Sequence, residues 1–398
     1  MGELQTTCHC GAVHNTVIAL QNTTGQPPDI ELCHCYGCRH STGQLYATYC
    51  KIRQSAVGSP LASPSLTRFI AAEPESTGSA NLTDMPEHGQ GASVTLYFCS
   101  TCGCHVFRSV VGADDASLEV ATGTLTRGIE GRGPEGQGLA AKFGPHVNVE
   151  STVDGGLTKW MSRVPVVDGG LGAVKHFAGN REASRDAALA ASCLCERVSF
   201  RITRPNADSH KPQSGFADAI VPFHTQDAEM HNPKDVKWWL RQNDTRYLGG
   251  LCVCRSCRLA SGFELQAWAF IPRANIEFRS RAGDHEEDGM WRVLDFDGLH
   301  SRGVTRGYES SPGVVREFCP SCGATVFWHD EWRPELIDVS AGLLRSHDGV
   351  RAESWLDWWT GRVSFAEDVA LGRRGSPATR ARLFLEALQE GLEASAGN

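Results

Sequence analysis

Cysteine is the residue type whose number and spacing in this sequence point to chemistry. Fourteen of the sixteen cysteines fall into two copies of one pattern, which reads C-x-C, then C-x-C-x-x-C, then C-x-x-C. The second copy keeps this order but has 34 more residues between its first pair and its triplet. Such a match indicates a tandem duplication with one insertion. The cysteines are Cys8, Cys10, Cys33, Cys35, Cys38, Cys99 and Cys102 in the first copy, and Cys193, Cys195, Cys252, Cys254, Cys257, Cys319 and Cys322 in the second.

The similarity between the copies extends beyond sulfur. Residues 38–43 (CRHSTG) match residues 257–262 (CRLASG), and residues 98–103 (FCSTCG) match residues 318–323 (FCPSCG). The sequence therefore predicts two complete domains, joined by a linker and followed by a helix. We place the first repeat at 1–162, the linker at 163–190, the second repeat at 191–372 and the helix at 373–398.

Coordination chemistry divides the seven thiols of each copy into two groups. Zinc in structural sites takes four ligands, and a C-x-C pair with a distant C-x-x-C pair makes a closed tetrahedral site. Gly103 and Gly323 follow the last cysteine of each closing pair, where a tight turn often needs a left-handed backbone. The four predicted structural ligands are Cys8, Cys10, Cys99 and Cys102, with Cys193, Cys195, Cys319 and Cys322 as the duplicate set.

The remaining triplet of each copy can hold a metal ion with one position open, as catalytic sites do. The triplets are Cys33, Cys35 and Cys38, and Cys252, Cys254 and Cys257. The alternative is a second closed site, completed in the first copy by a nearby side chain. The candidates for that fourth ligand are Cys104, His34, His40 and His105. Disulfides are disfavoured because the N-terminus shows no secretory signal, and Cys50 is expected to be a buried apolar residue.

These motifs resemble the glutathione-dependent formaldehyde-activating enzyme (GFA) family, whose domain is shared with centromere protein V. The resemblance covers most of both halves and is clearest in Ser192–Cys195, Cys252–Arg258, Ala267–Ala269, Phe318–Gly323 and Ile337–Ser340. It implies two Mss4-like β domains, each with a structural zinc held by the outer four cysteines and a functional zinc held by the triplet. It also implies a carbon–sulfur lyase reaction that joins formaldehyde to the thiol of glutathione.

The sequence departs from the family pattern in both copies. Residues 46–49 (YATY) stand where the family has Ala-Trp-Ala, Val253 replaces the family histidine, and Glu196 stands where a glycine is usual. Either copy can therefore have become purely structural. Arg39 and Arg258 follow the third thiol of each triplet and are candidates for binding the carboxylates of glutathione, or for a hydrogen bond to the thiolates. No general acid or base stands out.

The elements that must position these residues are mainly short strands. Alternating or β-rich segments at 94–98, 105–108, 197–202 and 266–271 predict an all-β, zinc-stapled fold. Residues 53–92 are expected to form a surface excursion, and the linker is expected to be partly helical. The 34-residue excess lies within 204–250, where residues 237–240 (KWWL) predict an ordered piece that covers apolar surface. Ser376 opens an amphipathic helix with apolar residues at Ala381, Phe384, Leu385, Leu388 and Leu392.

Charge and hydropathy exclude several classes of partner. The chain has 38 Lys and Arg against 46 Asp and Glu, giving a net charge of −8, and it shows no basic stripe. We therefore expect no nucleic-acid partner. No run approaches the roughly 18 apolar residues of a membrane span, and a cytoplasmic location follows, with the nucleus also open.

The leading hypothesis is a zinc-thiolate enzyme that forms a carbon–sulfur bond between a thiol, such as glutathione, and formaldehyde or a related small electrophile. A soft zinc–thiolate centre suits a further thiolate ligand. Two alternatives stay open: a similar enzyme acting on a metabolite other than glutathione, and a non-catalytic zinc module that binds a protein.

Overall fold

The computed structural model describes residues 2–21, 29–53, 59–71, 93–112, 116–128, 143–167, 187–280 and 289–396. The fold is mainly β, as the sequence predicts. No helix among these residues has the length and apolar character needed to cross a membrane. Besides short 3₁₀ turns, the helices are α1 Tyr36–Thr42, α2 Arg255–Ser261, α3 Phe296–Ser301 and α4 Ser376–Ala396.

The first repeat forms one extended sheet, ordered β5-β6-β7-β8-β4-β2-β1-β9, with β3 paired to β4 and to β10. Strands β6 and β10 alternate more and less buried side chains, the pattern of a sheet with one face in the core, whereas β4 is buried along most of its length. The strands are β1 Gly2–Thr7, β2 His14–Ala19, β3 Ile30–Cys33, β4 Ala47–Ile52, β5 Leu66–Ala71, β6 Ser93–Cys99, β7 His105–Val111, β8 Ala116–Ala121, β9 Leu125–Arg127 and β10 Phe143–Val147.

The second repeat places its triplet on a strand end and a following helix as the first does, but it has additional strands and a further helix, α3, and its strands form two sheets. One sheet is ordered β17-β16-β12-β11-β22, and the other β13-β14-β15-β21-β20-β19-β18, with β23 beside β14. The strands are β11 Ala188–Ser192, β12 Ser199–Thr203, β13 Leu240–Arg241, β14 Arg246–Cys252, β15 Gln266–Pro272, β16 Ile276–Arg279, β17 Trp291–Val293, β18 Arg306–Ser311, β19 Val314–Phe318, β20 Thr325–Asp330, β21 Leu336–Ser340, β22 Leu344–Arg345 and β23 Leu356–Trp358.

Two sequence expectations need correction, and one is confirmed. The stretch 53–92 contains a strand, β5, which pairs with β6 along its whole length. The last residues of the expected linker form a strand, because residues 188–190 belong to β11. The expectation that the linker is partly helical stays a prediction, because residues 168–186 lie outside the described part of the chain. The KWWL segment covers apolar surface as expected, since Trp238 and Trp239 are buried and Trp238 packs edge-on against Phe270.

The two repeats meet through matching backbone contacts. His9 N–H donates to Leu259 O at 3.1 Å, and its counterpart Leu194 N–H donates to His40 O at 2.8 Å. In the same way, Gly123 N–H donates to Gly262 O at 2.8 Å, and its counterpart Gly342 N–H donates to Gly43 O at 3.3 Å. Each contact recurs with the roles of the repeats exchanged. The interface is therefore isologous, like that of a twofold dimer, although it lies within one chain.

Gly262 is a position where this close approach requires glycine. Its φ is +95°, and a Cβ there would collide with the carbonyl oxygen of His105 in the other repeat. We expect Gly262→Ala to cost at least about 2 kcal/mol of unfolding free energy, combining left-handed strain and steric overlap. Chemical denaturation measures this loss. Gly303→Ala is the control, because Gly303 also has a positive φ but only one atom near its Cβ, at 3.9 Å; equal losses would show that the interface does not require glycine.

The C-terminal helix α4 packs across the first repeat. Its predicted apolar face is buried, and the Phe384 ring stacks on that of Tyr46 with centroids 6.0 Å apart. The helix thus returns the end of the chain from the second repeat to the first.

A cluster of buried charges lies beside the start of this helix. Arg373 Nη1 donates to Glu264 Oε2 at 2.6 Å, and both side chains are almost wholly buried. Arg258 bonds the carbonyl of Gly123, and Arg380 is buried nearby with Glu264 as its opposite charge. Although burial opposes it, Arg373 holds the pKa of Glu264 below its ordinary value. The carboxylate of Glu264 therefore offsets the charge of several buried guanidinium groups.

Candidate metal centres

Four sulfur atoms converge at each predicted structural site. The Sγ atoms of Cys8, Cys10, Cys99 and Cys102 all lie within 4.8 Å of one another, as do those of Cys193, Cys195, Cys319 and Cys322. Neighbouring sulfurs are 3.5 Å apart for Cys8 and Cys10 and 3.5 Å apart for Cys195 and Cys319. Tetrahedral coordination with metal–sulfur bonds of about 2.3 Å places sulfurs roughly 3.8 Å apart. The donor set and spacing therefore fit a four-thiolate metal ion.

Local backbone geometry forms these sites. Gly103 and Gly323 have φ values of 75° and 81°, the left-handed conformation expected after the closing pair. Backbone N–H groups of Val13 and Val198 donate to Cys8 Sγ and Cys193 Sγ at 3.3 and 3.4 Å. Glu196, which replaces the usual glycine, still adopts a positive φ of 56°. The turn is thus preserved in the second repeat at some cost in backbone strain.

Each triplet is built by a strand end and the helix that follows it. Cys33 ends β3, Cys35 caps α1, and Cys38 lies in the first turn of that helix. The Cys35 sulfur accepts the Cys38 N–H at 3.3 Å. Cys252, Cys254 and Cys257 repeat the arrangement on β14 and α2, with the corresponding bond at 3.2 Å. In both triplets the three sulfurs lie within 4.8 Å of one another.

No fourth metal-ligating side chain joins either triplet within the part of the chain that the structure describes. The candidates from sequence have other positions. His34 Nε2 and His146 Nδ1 are 2.8 Å apart, His40 Nδ1 lies 2.7 Å from Ser192 O, and Cys104 Sγ donates to His105 O. This arrangement favours the three-ligand interpretation over a second closed site. Cys50 is buried, as expected.

His105 lies at the interface between the repeats rather than at a metal centre. Its ring is buried near those of Phe98 and Phe263, with centroids 5.9 and 6.2 Å away. Burial lowers the pKa of His105 to about 4, from an ordinary value near 6.5. As the pH falls, the imidazole of His105 is therefore protonated in the unfolded chain at a higher pH than in the folded protein.

This shift predicts a pH dependence of stability. Between about pH 6.5 and pH 4, His105 should subtract stability as the pH falls, by up to about 1.4 kcal/mol per pH unit. His105→Phe should flatten the fall of unfolding free energy by that slope. Urea unfolding at several pH values measures the difference, with His14→Phe, at an exposed position, as the control. Parallel curves for wild type and His105→Phe would contradict the prediction.

Arg39 and Arg258 bind backbone carbonyls. Arg39 Nε donates to His34 O at 3.0 Å, and Arg258 Nη2 donates to Leu371 O at 3.1 Å. Their side chains are buried, at 4% and 1% exposure. Their predicted role toward glutathione stays a prediction.

Two other arginines, which the sequence analysis did not single out, contact the third thiol of each triplet. Arg108 Nη1 lies 3.8 Å from Cys38 Sγ, and both Nη atoms of Arg316 lie 3.6 Å from Cys257 Sγ. Arg108 is on β7, whereas Arg316 is on β19, the counterpart of β6. The arginines therefore occupy non-equivalent positions of the repeat, and aligning the copies does not pair them.

The fold and these clusters define a class: a duplicated β protein with one four-cysteine and one three-cysteine cluster in each repeat, each positioned to hold a metal ion. The family described as glutathione-dependent formaldehyde-activating enzyme matches residues 3–137 and 236–362, more than half of the chain. The protein belongs to this family, in a tandem arrangement. A search of curated proteins and a search of solved structures gave no significant match.

Proposed function

We propose that the protein is a zinc-dependent enzyme of the carbon–sulfur lyase type, which joins the thiol of glutathione to formaldehyde or a related small electrophile. The observation that carries the proposal is a three-sulfur cluster without a fourth ligand among the described side chains, in a chain of the GFA family. Clusters made only of thiolates with tetrahedral spacing suit zinc.

The reaction needs a nucleophilic sulfur and an accessible fourth position. Zinc bound by three thiolates would lower the pKa of an incoming thiol and present it as a thiolate. The sulfur lone pair then attacks the carbonyl carbon, and the C–S bond forms as the C=O π pair moves to oxygen. That oxygen takes up, through solvent, the proton that the thiol has released. The product is the hydroxymethyl thioether, and atoms and charge balance.

The proposal includes a small-molecule substrate, not a nucleic acid, and a cytoplasmic location. All sixteen cysteines are free, and thiolate ligands must stay reduced to bind metal. Arg39 and Arg258, whose side chains donate to backbone carbonyls, remain the proposed candidates for binding the carboxylates of glutathione.

The test is the rate at which the full chain, loaded with zinc, accelerates exchange between formaldehyde and its glutathione adduct. Exchange is measured by NMR with ¹³C-formaldehyde, against the spontaneous rate. We expect acceleration by wild type and its loss in a double variant, Cys35→Ala with Cys254→Ala. Cys50→Ala is the matched control, since Cys50 is buried but outside every cluster.

A double variant that keeps the wild-type rate would contradict the proposal, as would a wild-type protein without acceleration. In the second case, screening other thiols and aldehydes separates an enzyme for another metabolite from a module that only binds a protein. The enzyme alternative requires turnover with at least one of them.

A further inference from the structure

The two triplets differ in the charge that surrounds them. In the first repeat, Arg108 contacts Cys38 but is also paired with Glu119, whose Oε2 lies 2.7 Å from Arg108 Nε. Zn²⁺ with three thiolates sums to −1. Because Glu119 cancels the charge of Arg108, the first centre keeps a net charge of −1 with its immediate surroundings.

In the second repeat, the arginine that contacts the triplet is Arg316, and no carboxylate of the described residues pairs with it. Arg316 places both Nη atoms on Cys257 and donates Nε–H to Ser310 Oγ. Asp338, the counterpart of Glu119, pairs instead with Arg333 at 2.8 Å. The second centre with Arg316 therefore sums to zero. A neutral centre accepts an anionic thiolate more readily than a negative one.

The exposure of the middle cysteine also favours ligand binding at the second triplet. Cys35 is wholly buried, whereas its counterpart Cys254 is partly exposed. The first triplet packs in one apolar cluster with Ala47, Tyr49 and Phe263, the last from the other repeat. Cys252 and Cys257 also pack in an apolar cluster, so the two triplets differ in exposure at the middle cysteine.

Polar side chains lie beside both triplets, but they differ: Asn148 Nδ2 donates to Cys33 Sγ at 3.2 Å in the first repeat, whereas a pair of glutamines lies beside the second triplet. Gln266, the counterpart of Ala47, faces Cys252 across the β14–β15 pair. Gln44 Nε2 donates to Gln266 Oε1 at 2.6 Å, and Gln266 Nε2 donates to Ser340 Oγ at 3.2 Å. Gln44 Oε1 is buried without a hydrogen-bond partner among the described residues. Because Gln44 comes from the first repeat, both repeats build the second site.

We infer that the chain binds its thiol substrate at the second triplet alone, that Arg316 is the positioning residue which neutralises this centre, and that the first triplet is structural. This inference rests on the proposed function.

The test is a titration of the cobalt-loaded full chain with glutathione, followed by its sulfur-to-cobalt absorption bands. We expect saturable band changes in wild type and Cys35→Ala, and none in Cys254→Ala. Arg316→Gln should weaken glutathione binding at least about tenfold, because the centre becomes negative. Arg316→Lys should recover most of that loss, and Arg108→Gln should change the affinity less than about twofold. Metal content of each variant shows whether the clusters stay loaded.

The outcomes separate the inference from the proposed function. Band changes that survive in Cys254→Ala, or that vanish in Cys35→Ala, would overturn the assignment of the second triplet while leaving the enzyme proposal standing. If wild type and a metal-loaded Arg316→Gln variant bind glutathione with equal affinity, Arg316 does not have the role inferred for it. If wild type shows no band change with glutathione, both the inference and the glutathione reaction fail.

Discussion

Replacing Cys319 by serine is expected to remove one bound metal ion and to unfold the second repeat. Cys319 is wholly buried and belongs to the four-sulfur cluster that ties β11 to β19. Structural zinc sites contribute roughly 10 kcal/mol or more to folding, because the unfolded chain has no preformed site. The loss is therefore comparable to the total stability of an ordinary domain. Metal analysis and circular dichroism of the purified variant measure both effects.

The control for this experiment is another buried cysteine. Cys50→Ala leaves every cluster intact and is expected to cost only the burial of one small side chain, about 1 kcal/mol. A Cys319→Ser protein that retains the wild-type metal content and melting curve would show that the four-sulfur cluster does not stabilise the fold.

Glu264→Gln is expected to have the largest effect of any substitution outside the metal centres. Its carboxylate bonds Arg373 in a setting that also buries Arg258 and Arg380. Removing one partner of a buried ion pair leaves an uncompensated charge and costs about 3–5 kcal/mol. Because glutamine has nearly the same shape as glutamate, the loss of unfolding free energy measures the effect of removing the charge. Urea unfolding of the metal-loaded chain measures it.

A matched change at a more exposed pair calibrates this prediction. Glu277 pairs with Arg201 at 2.6 Å, but its side chain is 20% exposed. Glu277→Gln should cost less than about 1 kcal/mol. Similar losses for the two variants would mean that the cluster around Glu264 is held by packing and not by its carboxylate.

The cysteine clusters could be predicted from sequence because metal ligands occur at short, characteristic spacings. A C-x-C-x-x-C triplet places its three thiols within a few ångströms of one another whatever the rest of the chain does. Because the same spacing occurs twice, it is not a chance arrangement. Helix α4 was predictable for a similar reason, since its apolar residues recur at the helical period. The strand β5 was missed because its residues lie in a stretch rich in Ser, Pro and Ala.

The arginines at the triplets could not be predicted in the same way. Alignment of the repeats pairs Arg108 with Trp328 and Arg316 with Leu96. These residues are neighbours across the strands, since Arg108 faces Leu96 and Arg316 faces Trp328 in their respective ladders. Each repeat thus brings a guanidinium to the same place from a different strand. Only the strand register shows this, and single-sequence patterns do not fix register.

The contacts between the repeats could not be predicted from the sequence of either copy alone. Gly43 and Gly262 are visible in sequence as matching residues after the triplets. Their role as the points where one repeat touches the backbone of the other appears only when both are assembled.

The twofold-like interface has an evolutionary consequence. In a dimer of identical subunits, every substitution appears twice, so a change that improves one centre is imposed on the other. Joining the two copies in one chain removes that constraint while keeping the contacts between the repeats. One copy is then free to accumulate changes that seal its metal site and strengthen the scaffold, while the other retains an open site, and selection acts on the pair as a division of labour.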